Sequence, residues 1–92
     1  MYVWVIKKIR RFYGHKFTPS FVKTKYGEII AVKNKAIATK VSNDLLEWPN
    51  YILANRECGR PDFIPTRMKF DKNSTILMTE TAARAELGLF RN

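Results

Sequence analysis

Ninety-two residues with 17 Lys/Arg against 8 Asp/Glu, a net charge of +9 and an apolar share of 46% read as one small basic domain spanning 1–92, too apolar for a disordered tail. A chain this short buries only about 60–65% of the surface its unfolded form exposes, so its apolar residues go into the core and leave little room for a deep enzyme cleft. One cysteine, Cys58, and one histidine, His15, exclude an intramolecular disulfide and any zinc-finger ligand set.

The charge is unevenly placed. Residues 1–41 hold ten Lys/Arg and one acid, Glu28, a net +9, whereas residues 42–92 hold seven of each and sum to zero. An excess confined to one half suits a polyanionic partner: nucleic acid, an acidic protein face or a membrane surface. The bland alternative is a solvated surface.

In chain order, Tyr2–Tyr13 fits two periods. As a helix it places Tyr2, Val5, Ile6, Ile9, Phe12 and Tyr13 on one face and Lys7, Lys8, Arg10 and Arg11 on the other. As a strand, its β-branched and aromatic start alternates. The expectation is an extended lead over 2–6 and a helical preference over 7–13, ended by Gly14. The apolar run Met1–Ile6 is too short for a signal peptide, and its charges follow rather than precede it. No stretch reaches the ~18–20 apolar residues of a membrane span.

Phe21–Lys25, Glu28–Lys33 and Ala36–Val41 read as a three-stranded meander (about 21–41). Tyr26-Gly27 forms the first turn, with glycine at positive φ, and Asn34 the second. The middle strand is apolar on both faces and should be central. Ser42 suits a helix N-cap ahead of a short turn at 43–47, and Pro49 suits the first position of a helix over 49–58, with Gly59 as its stop; this is preferred to the other reading, a single helix kinked at Pro49. Arg60–Thr66 is a loop set by two prolines. Arg67–Phe70 and Thr75–Met78 read as a second hairpin (about 67–78), with Met68 and Phe70 meeting Ile76 and Met78. Thr79 caps a last helix over 80–89. The class is α+β: a small antiparallel sheet packed with two short helices.

Catalysis needs a positioned base, nucleophile or metal. His15 has no carboxylate near it in sequence. Cys58 falls at a predicted helix C-terminus, where the dipole disfavours a thiolate. The acids are scattered, and no glycine-rich phosphate loop is present. The expectation is no enzyme, no metal or other cofactor and no small-molecule substrate.

What remains is cations interleaved with aromatics. Cations neutralise phosphates, and aromatic faces stack on unpaired bases. The polyanion-binding set is Lys7, Lys8, Arg10, Arg11, Lys16, Lys23, Lys25, Tyr26, Lys33 and Lys35. Lysines on outer strands also have a plain role in preventing edge-to-edge aggregation.

Two function classes follow. The first is a small binding protein that contacts nucleic acid through its N-terminal half. The second is a structural or interaction component of a large assembly, either a virus-particle protein or a small inhibitor of a host protein, which binds mainly protein. A membrane-surface role for residues 1–13 ranks third. The partners expected are nucleic acid or an acidic protein surface, together with a protein partner or a homo-oligomer, and no transmembrane insertion. The lone cysteine fits a reducing compartment, which points to the cytoplasm or the interior of such an assembly.

Overall fold

The fold is built on a single strand that takes partners on both edges. The computed structural model describes residues 1–9, 11–12, 15–16, 19–47 and 62–89, with 11–12 and 15–16 as backbone alone. In chain order the elements are β1 (Tyr2–Ile9), β2 (Arg11–Phe12), β3 (His15–Lys16), β4 (Ser20–Phe21), β5 (Ile29–Val32), α1 (Lys35–Glu47), β6 (Asp62–Lys69), β7 (Thr75–Leu77) and α2 (Glu80–Glu86). They form the α+β arrangement expected, a five-stranded sheet packed with helices, while β2 and β3 pair separately.

One edge of β1 is taken along its whole length by antiparallel β6, from Tyr2↔Lys69 to Ile9↔Asp62. The other edge is shared in succession. β4 pairs at Lys7 and Lys8, and β5 pairs at Trp4 and Val5. Between them the chain makes an excursion over 23–28 and returns, closed by the Lys23↔Ile29 bridge and by Gly27 N–H donating to the Thr24 carbonyl at 3.0 Å. Gly27 has φ +85°, the left-handed conformation the turn requires. β7 lies parallel beside β5, so the sheet is mixed rather than purely antiparallel.

Pairing parity follows from the backbone bonds. Phe70 N–H donates to Met1 O, and Ile6 O accepts from Val22 N–H on the opposite edge. Even-numbered residues of β1 therefore face β6 as non-hydrogen-bonded pairs, whose side chains approach most closely. Pro65, opposite Ile6, has its missing N–H on the outer edge of β6, where proline blunts further strand pairing.

Both faces of the sheet are covered. Trp4, Ile6, Ile30 and Val32 meet Ala38, Val41 and Leu45 of α1 and Ala83 of α2. Val3, Val5, Ile29 and Ala31 lie on the other face under Phe21, Met68 and Phe70. Leu45, Val3, Val5 and Val41 are the largest side chains wholly removed from water, each contributing about 1.5–3 kcal/mol of burial. β5 is buried along its whole length, as a central strand should be.

Several expected elements are different. Residues 7–9 are strand, not helix, and 11–12 with 15–16 pair as strands. A core on both faces makes odd and even positions of β1 apolar alike, which hides the two-residue alternation. Ala36–Val41, expected as the third meander strand, lies inside α1. Asn34, expected as the turn between two strands, caps a helix instead: its Oδ1 accepts from Ile37 N–H at 3.0 Å. The buried set Ala38, Val41, Ser42 and Leu45 has the 3.6-residue period, which six residues alone could not distinguish from alternation. Ser42 is consequently not an N-cap but a buried mid-helix residue whose hydroxyl has no hydrogen-bond partner among the described residues.

The 67–78 hairpin does not form. β6 runs antiparallel to β1, as β5 does, and β7 runs parallel to β5, so β6 and β7 point the same way. The eight-pair ladder on β1 outcompetes a short hairpin, and Asp62–Thr66, expected as loop, belongs to it. Met68 and Phe70 accordingly pack on Val3 and Val5, while Met78 packs on the helix side. The expected helix over 49–58, with Cys58 and Gly59, lies outside the described residues. Thr79 does cap the last helix, its hydroxyl accepting from Ala82 N–H at 3.2 Å, and Gly88 ends it at φ +70°.

Candidate nucleic-acid interface

The expected polyanion-binding residues fall in several places. Lys7 and Lys8 are half-buried neighbours on β1 and leave it on opposite faces, as successive strand residues must. Lys8 follows Trp4 and Ile6 onto the helix side, where it and Lys23 line a cavity of about 180 Å³ with Leu45, Phe63 and Leu87. Arg10 lies outside the described residues. Arg11 and Lys16 stand opposite one another in the β2–β3 pair.

Lys25 and Tyr26 occupy the tip of the excursion between β4 and β5. The Thr24 hydroxyl braces this tip by accepting from Tyr26 N–H and Glu28 N–H at 3.2 and 3.3 Å. Tyr26 is 77% exposed, and Lys25 Nζ lies 5.2 Å from its ring centroid. Lys33 and Lys35 flank Asn34 at the start of α1, both exposed. The first turn of α1 carries no acid. Lysine at the positive end of a helix opposes its dipole, so local structure alone does not favour this placement.

The strand register brings together a group that the sequence did not reveal. Trp4 and Arg67 face one another across β1 and β6, and Tyr2 faces Lys69. Both are non-hydrogen-bonded pairs on one face. The Arg67 guanidinium sits 4.2 Å from the Tyr2 ring centroid, and Lys35 Nζ sits 5.8 Å from the Trp4 ring. Tyr2 is 60% exposed, and Trp4 is only half-buried against the core. Arg67 and Lys69 belong to the half of the chain whose charges cancel, so a tally by half assigned them no role. Only the pairing of β6 with β1 places them beside Trp4 and Tyr2. Each exposed cation–π contact contributes about 0.5–1 kcal/mol.

Three of the acids are engaged elsewhere. Asp44 of α1 accepts from Arg84 of α2, whose guanidinium also donates to Glu80 at 3.2 Å. The hydrogen bond to Asp44, and then that to Glu80, raises the Arg84 pKa above its ordinary value against the opposing pull of desolvation. Asp71 caps its own turn, accepting from Asn73 N–H and the Ser74 hydroxyl. Among the described residues no carboxylate pairs with Lys23, Lys25, Lys33, Lys35, Arg67 or Lys69.

Among the described residues no three His, Cys, Asp or Glu side chains converge to hold a metal ion, and no helix is long and apolar enough to cross a membrane. A second cavity, of about 340 Å³, is lined by Ile37, Leu77 and Met78, with Lys33 and Glu80 at its polar margin. Comparison with protein-family models, with curated proteins and with solved structures finds no match for this chain.

Proposed function

We propose that this chain is a small non-enzymatic binding protein that contacts nucleic acid through the phosphate backbone. The observation that carries the reading is the set of exposed lysines at 23, 25, 33 and 35, none of which meets a carboxylate among the described residues. A cation with no carboxylate partner keeps its charge available to neutralise a phosphate and release its counterion. Lys8, which lines one cavity with Lys23, and Lys7, Arg10, Arg11 and Lys16 are the other cations of the basic half included in the proposed set. Tyr26, exposed at its tip, adds a ring that a base can cover.

The test is the salt dependence of binding to a labelled oligonucleotide. Phosphate contacts make log affinity fall linearly with log salt, by about 0.9 per contact on duplex and about 0.7 on a single strand. Replacing Lys23, Lys25, Lys33 and Lys35 by glutamine should lower both affinity and slope. No binding at low salt would overturn the reading.

A second reading, a protein-binding component of a larger assembly, is favoured by the apolar cavity of Ile37, Leu77 and Met78, beside which Leu77 is exposed. It predicts a stoichiometric protein partner or a self-association that nuclease does not dissolve. Size-exclusion light scattering with and without nuclease separates the two readings. Loss of mass on nuclease treatment supports nucleic acid, and a nuclease-resistant complex supports protein.

A further inference from the structure

We propose that Tyr2 and Trp4, with Lys35, Arg67 and Lys69 around them, form a stacking platform that selects unpaired bases, so that the nucleic acid bound is single-stranded. This rests on the nucleic-acid reading above and narrows it to one class of ligand.

The platform is made by register. Tyr2 and Trp4 are alternate residues of β1 and point to the same face. Their partners on β6, Lys69 and Arg67, lie directly opposite. Lys35, the first residue of α1, reaches the Trp4 ring. Two rings and three cations thus share one end of the sheet, and none of these cations is paired with a carboxylate among the described residues.

The spacing favours a single strand. Alternate residues of an antiparallel strand are about 6.8 Å apart, twice the 3.4 Å or so between successive bases along a duplex strand. A duplex cannot place successive bases on both rings, because its bases are stacked on each other and paired. A single strand can splay two bases to that spacing, one per ring, while Lys35, Arg67 and Lys69 meet the phosphates between them. Arg67 also holds its planar guanidinium over the Tyr2 ring, and a plane of that kind can itself carry a base. Covering exposed rings with cations would account for the two cation–π contacts alone. It does not account for Tyr2 remaining 60% exposed, with ring surface still open to a ligand.

The test compares single-stranded DNA, single-stranded RNA and a duplex of the same length, using wild type, Tyr2→Ala, Tyr2→Phe and Arg67→Lys. Tyr2 is exposed, so its truncation leaves the fold intact, which circular dichroism checks. Tyr2→Ala should weaken single-strand binding about 5- to 150-fold, the range for losing one stacked base, and leave duplex binding unchanged. Tyr2→Phe should bind as wild type. Arg67→Lys should weaken single-strand binding without changing the salt slope, since it keeps the charge and loses the plane. With Trp48→Phe as background, single strands should quench the fluorescence of Trp4 and duplex should not. Equal wild-type affinity for single strands and duplex, with Tyr2→Ala and Arg67→Lys both silent, overturns the platform but leaves phosphate binding standing. Absence of binding to any of the three probes overturns both.

Discussion

Where α1 meets α2, Arg84 reaches Asp44 of the neighbouring helix and Glu80 one turn back, whereas at the start of α1 and on the 23–28 excursion Lys23, Lys25, Lys33 and Lys35 meet no carboxylate among the described residues. The first arrangement spends its charge internally, joining two elements. The second costs a little stability through mutual repulsion and an opposed helix dipole, set against the exposed ring contacts of Lys25 with Tyr26 and Lys35 with Trp4. Charge that is not spent on an ion pair is available to a ligand. Substitutions in the first region should therefore change stability and leave binding alone, and those in the second should do the reverse.

The largest expected effect lies beneath the helix contact. Leu45 is wholly buried in the core cluster that also contains Ala83, and Leu45→Ala should cost about 2–5 kcal/mol in chemical denaturation. Asp44→Asn removes the charge that Arg84 meets. Both side chains keep part of their exposure, so the loss should be about 1 kcal/mol rather than that of a deeply buried pair. Oligonucleotide affinity, measured on the folded variant, should not move. If it fell with Asp44→Asn, the division between the two regions would be wrong.

Smaller effects sharpen the same picture. Thr79→Ala deletes the cap of α2 and should lower stability by about 1 kcal/mol, read as a lower denaturation midpoint with the slope unchanged. Ser42→Ala should go the other way. The serine hydroxyl is buried without a hydrogen-bond partner among the described residues, and its removal also improves helix propensity, for a gain of up to about 1 kcal/mol. A destabilised Ser42→Ala would mean that the hydroxyl has a partner in solution.

What could be read from the chain depended on how local the signal was. Gly27 in its turn, the doubly apolar Ile29–Val32 strand and the Thr79 cap each depend on a few adjacent residues, and each was legible. Ala36–Val41 was not, because a six-residue window fits both periods and the decision lies further on, at Ser42 and Leu45. Lys7–Ile9 misled because apolar residues on both faces of β1 erase the alternation that marks a strand. The proposed interface was legible only in part. Lysine excess is a property of composition, but the approach of Arg67 to Tyr2 depends on the pairing of Tyr2 with Lys69 and of Trp4 with Arg67, residues more than 60 positions apart in sequence, and no local pattern announces it. Proline in β6 even argued for a loop, since Pro65 is tolerated there only because its missing N–H faces the outer edge.

The most direct measurement is the salt slope of single-strand binding between about 50 and 200 mM for wild type and for the variant with Lys23, Lys25, Lys33 and Lys35 all replaced by glutamine. Four lost phosphate contacts at about 0.7 each predict a slope shallower by about 3, with the thermal midpoint unchanged or slightly raised. An unchanged slope and affinity in a folded variant would contradict the account, because the unpaired lysines would then have no ligand to neutralise.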